Sequence, residues 1–151
     1  MDCDELKAGI KLFGLNIKED YYVILSIKLD RFNEIKCRFL ENNLELISST
    51  VNSILSQLIN NGLYFMMGND TYIIMLYADK SIHSEFLSRV FDISKRIQTA
   101  IFRCLNITTT IGVSDVFIGL PNIHVAFRQS LKAIEFRFYM GTGQIICYSS
   151  L

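Results

Sequence analysis

The chain has 151 residues, half of them hydrophobic and a fifth charged, which suits one domain with a buried core and excludes a disordered polypeptide. Its 15 basic and 15 acidic residues cancel. A zero balance gives no net pull toward nucleic acid or an anionic membrane.

In chain order, residues 4–14 read as a short amphipathic helix with Leu6, Ile10 and Phe13 on one face and Gly14 as its stop. Tyr21 to Asp30 is β-branched and aromatic, and apolar on both faces in its first half. That predicts a central strand covered on both sides. Residues 30–39 suggest a helical turn or short helix. Leu44, Ile47, Val51, Ile54, Leu55 and Leu58 form one stripe, which predicts a helix over 43–60 ended by Asn61-Gly62.

Two apolar runs, Leu63–Met67 and Tyr72–Tyr77, flank Gly68-Asn69-Asp70-Thr71 and predict a β-hairpin. Ser81 is placed to cap a helix reaching about Cys104, with Phe86, Val90, Ile93, Ile97, Ile101 and Leu105 on its apolar side. A strand over Ile107–Val113 follows. Pro121 then opens a helix running to about Met140, and Gly141 and Gly143 break it before a last strand in QIICYSS. On that helix Phe127, Ile134 and Phe138 fit a buried stripe, while Phe136 and Tyr139 fall off it as candidate exposed contacts.

The order is that of an α+β, ferredoxin-like βαββαβ core with an antiparallel or mixed sheet. A short N-terminal helix precedes it, and an extra helix and strand follow it. We read residues 1–151 as a single domain, with 1–19 as helix and lead-in and 20–151 as the core.

Cys3, Cys37, Cys104 and Cys147 form no C-x-x-C pair, so scattered buried thiols in a reducing compartment are expected rather than a zinc or redox site. His83 and His124 stand apart from other metal-binding residues and read as solvated helix positions. Arg89, Lys95, Arg96, Arg103, Arg128, Lys132 and Arg137 read as polar helix faces. No segment is a signal peptide or a membrane span. The expected location is cytoplasmic, with no membrane partner and no cofactor.

Four local patterns then resemble one family. KLDRF (28–32) is similar to a D-x-D-x-F strand end. GNDTY (68–72) sits at the hairpin and is followed by the apolar IIML. TTTIGVS (108–114) is similar to T-x-S-I-G-V-S. SLKAIEFRFYMGTGQII (130–146) is similar to a closing A-D-x-A-L-Y-x-A-K-x-x-G-R-N segment. In this order they resemble the GGDEF-like domains related to diguanylate cyclases, which implies a nucleotide cyclase-like fold.

Cyclase chemistry is phosphoryl transfer, needing divalent metal on carboxylates and cations on the phosphates. The resemblance places the first metal carboxylate at Lys28, the second at Asp70, the fourth signature position at Thr71 and the second signature glycine at Asn69. It places the guanine-contacting Asn at Lys36 and the phosphate-binding Lys and Arg at Phe138 and Thr142. The R-x-x-D of a product site falls on Ile59–Gly62 and is absent. The vestigial signature is therefore Gly68, Asn69, Asp70, Thr71 and Tyr72, and the vestigial pocket is Lys28, Asp30 and Lys36, with no catalytic or metal residue assigned.

Asp30 beside Arg31 admits two readings, a surviving carboxylate site or a strand-end cap for the next helix. Lys28 and Asp70 likewise admit two readings, an ion pair in which Lys28 replaces a metal as counter-charge or two solvated surface charges worth little.

Such degeneracy resembles the GGDEF-like modules of bacterial transcription regulators, of the AraC/YesN response-regulator and sugar-diacid/PucR types. It implies a non-enzymatic signal-transduction module in transcription regulation, touching DNA only through a domain outside this segment. The alternatives are a small-molecule sensor using the former nucleotide pocket, or an active diguanylate cyclase. A homodimer and an unidentified small ligand stay open as partners. RNA binding is set aside because the aromatic, basic strand of RNA recognition motifs is missing.

Overall fold

The computed structural model describes residues 21–32, 34, 41–60, 62–78 and 83–151. The helix expected over 4–14, most of the turn over 30–39, and Ser81 lie outside them. The strands are β1 (Tyr21–Leu29), β2 (Gly62–Met67), β3 (Thr71–Ala78), β4 (Thr109–Val113), β5 (Phe117–Ile118) and β6 (Ile145–Cys147). The helices are α1 (Glu41–Leu58), α2 (His83–Leu105), α3 (Ile123–Glu135) and the single turn α4 (Arg137–Met140).

The sheet runs β2-β3-β1-β4-β6, with β5 paired beside the start of β1. β1 is antiparallel to both β3 and β4, whereas β6 runs parallel to β4, so the sheet is mixed as expected. β1 is hydrogen-bonded on both sides and buried along nearly all its length, which explains why apolar residues fill both of its faces.

Alternation along β1 sorts its side chains into two layers. Val23, Leu25, Ile27 and Leu29 pack with Ile47, Val51 and Leu55 of α1 and Val90, Ile97 and Ile101 of α2. Tyr22 and Ile24 turn the other way and pack with Ile123, Ala126 and Phe127 of α3. Ser26 shares the second face, and its hydroxyl meets that of Ser130 at 2.7 Å, so this buried polar pair satisfies itself. Gly112 of β4 lies so close to the Ser130 carbonyl, with Ala133 and Ile134 beside it, that any larger residue would push α3 off the sheet.

Several details differ from the sequence expectation. β5 is only two residues long, too short to show any periodicity. The last strand stops at Cys147, and Tyr148–Ser150 continue as a 3-10 turn. The closing helix starts at Ile123, after a 3-10 turn over Leu120–Asn122, and is interrupted at Phe136. There the Phe136 N–H donates to the Ala133 carbonyl, three residues back instead of four, which tightens the turn. That rotation takes Phe138 off the stripe of Phe127 and Ile134. Phe138 is 85 % exposed, where a buried position was expected, and Tyr139 is 86 % exposed.

Cys104 is exposed and Cys147 half-buried, both as free thiols, so neither is the fully buried cysteine expected. Burial, reinforced by the negative charge of Asp115, pushes the Cys147 thiol up from its ordinary pKa. Among the described residues no helix is long and apolar enough to cross a membrane.

Candidate functional site

The alternation that sends Tyr22, Ile24 and Ser26 toward α3 also sends Lys28 and then Asp30 to that side, at the end of β1. Lys28 lies directly across from Thr71 of β3 and Thr110 of β4. The β2–β3 turn is therefore beside the end of β1, and a bond from the Leu29 N–H to the Asp70 carbonyl (2.8 Å) fixes it there. Gly68 starts the turn at φ +71, the left-handed region that favours glycine.

Asp70 has both carboxylate oxygens engaged within the protein. The Thr71 hydroxyl donates to Oδ1 at 3.0 Å. Lys28 Nζ lies 3.8 Å from Oδ2, each side chain about a third exposed. The two charges face each other as a loose, part-exposed ion pair. At that exposure the pair contributes only about 0.5 kcal/mol to stability. Asn69 is exposed at the turn tip, and Lys36 lies outside the described residues.

Asp30 follows neither of its two readings. It is 2 % exposed and accepts from the Thr110 hydroxyl (2.7 Å), the Thr108 hydroxyl (3.0 Å) and the Gly143 N–H (2.9 Å). Arg137 Nη1 stands 3.8 Å from its Oδ1. It ties the end of β1 to β4 and to the loop before β6. Arg137, expected on a polar helix face, instead turns inward because the break at Phe136 redirects the turn that carries it. Arg31 adopts φ +54 and turns the chain out of the strand, and Phe32 and Glu34 are helical, but the Asp30 carboxylate bonds to β4 and the loop before β6 instead of capping that turn.

The other basic residues do lie on polar faces. Arg89 pairs with Glu85 at 3.6 Å and Arg96 with Asp92 at 3.1 Å, both exposed along α2. Arg128, Lys132 and His124 are exposed on α3. Among the described residues no three His, Cys, Asp or Glu side chains gather to hold a metal ion.

Tyr72, the last signature position, is fully buried, and its hydroxyl has no hydrogen-bond partner. Burial pushes its pKa up; Ser48, near enough to oppose that shift, does not complete a hydrogen bond. An unpaired buried hydroxyl is a cost of about 1 kcal/mol or more. Tyr72→Phe is therefore expected to raise stability by about 1 kcal/mol in urea unfolding, and a loss of stability would contradict the orphan hydroxyl.

Magnesium requires hard oxygen ligands in near-octahedral order. Among the described residues the site offers Asp70, already bonded to a hydroxyl and facing an ammonium that repels cations. The second nearby carboxylate, Asp30, is consumed by internal bonds. These residues do not fit a catalytic divalent ion.

A family model described as the GGDEF-like domain matches residues 2–136. No curated protein gives a significant match. Among solved structures, the active GGEEF domain of a diguanylate cyclase from Vibrio cholerae superposes with a TM-score of 0.68 at 17 % identity, covering 95 % of this chain and 90 % of that one. The GGDEF domain of DgcB from Caulobacter crescentus, in complex with c-di-GMP, gives 0.70 at 12 % identity, with coverages of 97 % and 86 %. The diguanylate cyclase SiaD from Pseudomonas aeruginosa, in complex with its activator SiaC, gives 0.71 at 11 % identity, with coverages of 95 % and 55 %.

Proposed function

This chain belongs to the GGDEF-like domain family, and from that premise we propose that it is a non-catalytic regulatory module. The observation that carries this reading is Lys28, whose ammonium stands against Asp70 where the family resemblance asks for a metal carboxylate. Thr71 supports it by holding the other Asp70 oxygen, as does Asp30, whose carboxylate is locked into the fold. With Lys28 at the metal position and Phe138 and Thr142 where the resemblance asks for phosphate cations, little stabilisation is left for the charge that develops in phosphoryl transfer.

We further place the module in a bacterial transcription regulator of the AraC response-regulator type, as one cytoplasmic domain over 1–151. Contact with DNA then belongs to another part of the protein. The hairpin fits such a role because backbone bonding to β1 fixes it, with the Lys28–Asp70 pair occupying the metal position.

The test is incubation of the purified chain with GTP and Mg²⁺, with products separated by chromatography and binding followed by calorimetry. No cyclic dinucleotide above the protein-free background is expected. Turnover would overturn the reading. Binding of GTP or a cyclic dinucleotide without turnover would favour the sensor alternative.

A further inference from the structure

Strand β2 ends the sheet on one side, and among the described residues nothing bonds its outer edge. Such an edge presents a row of free N–H and C=O groups, which proteins ordinarily guard with charge, proline or a bulge. Here it has none of these. Its sequence, GLYFMM, is uncharged, and all five large side chains are partly exposed, Met66 at 37 %. The opposite edge, β6, is only three residues long before the chain turns into a 3-10 helix, so it offers little to pair with.

We propose that β2 pairs edge to edge with β2 of a second copy of this chain, antiparallel across a two-fold axis through Phe65. A second copy fits this edge better than a foreign strand because the edge is complementary to itself. Under that symmetry Phe65 meets Phe65, Tyr64 meets Met66 and Leu63 meets Met67. Aromatic or apolar groups face each other at every position, and no like charges are brought together. Leu63, Phe65 and Met67 are half-buried on the α3 side and Tyr64 on the other, so pairing would extend both existing core layers across the axis. Six residues a side is well short of the roughly 20–30 of a standard interface, so the dimer is weak and concentration-dependent. This proposal does not rest on the non-catalytic reading of the site.

Sedimentation velocity of the intact chain over a wide concentration range tests it. The wild type is expected to pass from monomer to dimer. Met66→Lys, which alters the most exposed side chain of the strand, is expected to weaken the dimer at least tenfold with an unchanged circular dichroism spectrum. A wild type that stays monomeric throughout, or a folded Met66→Lys protein that dimerises as before, overturns the proposal. Should Met66→Lys fail to fold, Phe65→Cys decides. Opposed residues of antiparallel strands lie about 4.5–5.5 Å apart at Cα, within disulfide range. Mild oxidation should then give a cross-linked dimer that the parent, with its native cysteines, does not form. Absence of that band overturns the proposal.

Discussion

Asp30→Ala is expected to lower the unfolding free energy by about 3 kcal/mol. The side chain is buried and receives three hydrogen bonds and an arginine. Its loss strands these partners unequally. Thr110 is fully buried and keeps an unpaired hydroxyl. Thr108 and Gly143 are exposed and turn to water. Arg137, a quarter exposed, is left with its charge only partly solvated, which keeps the cost at the lower end of that for a broken buried pair. Asp30→Asn retains one acceptor oxygen and is expected to fall between alanine and wild type. Urea unfolding should show a lower midpoint with an unchanged slope, and faster hydrogen exchange at the Gly143 amide. A midpoint shift worth less than about 0.5 kcal/mol, the level of an ordinary surface substitution, would refute the network.

The role of Asp30 marks the limit of what local sequence tells. The two-faced apolar run of β1, the stripes of α1 and α2 and the hairpin at Gly68 are all local patterns, and each element lies where its pattern puts it. Lys28 and Asp70 could be paired beforehand because strand order alone brings a strand end beside a hairpin turn. The partners of Asp30 could not. Gly143 is 113 residues away, and Arg137 reaches inward only because the helix tightens at Phe136. No glycine or proline announces that break. The same break exposed Phe138, so one unannounced turn accounts for two misplaced side chains. The edge position of β2 among the described residues is likewise a property of the assembled sheet. Its residues read as an ordinary hairpin strand until the sheet order leaves them at the margin.

Lys28→Asp is expected to make the fold respond to divalent cations. In the wild type the ammonium neutralises Asp70, and millimolar Mg²⁺ or Mn²⁺ should leave the thermal midpoint unchanged. The variant puts a second carboxylate on the same face of the sheet, across from Thr71 and next to Asp70. Without metal, the lost pair and the new repulsion should cost about 1 kcal/mol. With a cation at a hundred times its dissociation constant, binding to the folded state returns about 2.7 kcal/mol. The variant should therefore melt below the wild type in chelator and rise steeply with added Mn²⁺. A folded variant whose midpoint ignores the cation would show that the two carboxylates do not converge. Turnover of GTP is not expected to return with the metal. Phe138 and Thr142 still stand where the resemblance calls for phosphate cations, and Lys36 where it calls for a base contact. On the proposed non-catalytic reading, a variant that binds the ion without the reaction would separate two contributions: Lys28 at the metal position, and Phe138, Thr142 and Lys36 at the nucleotide positions.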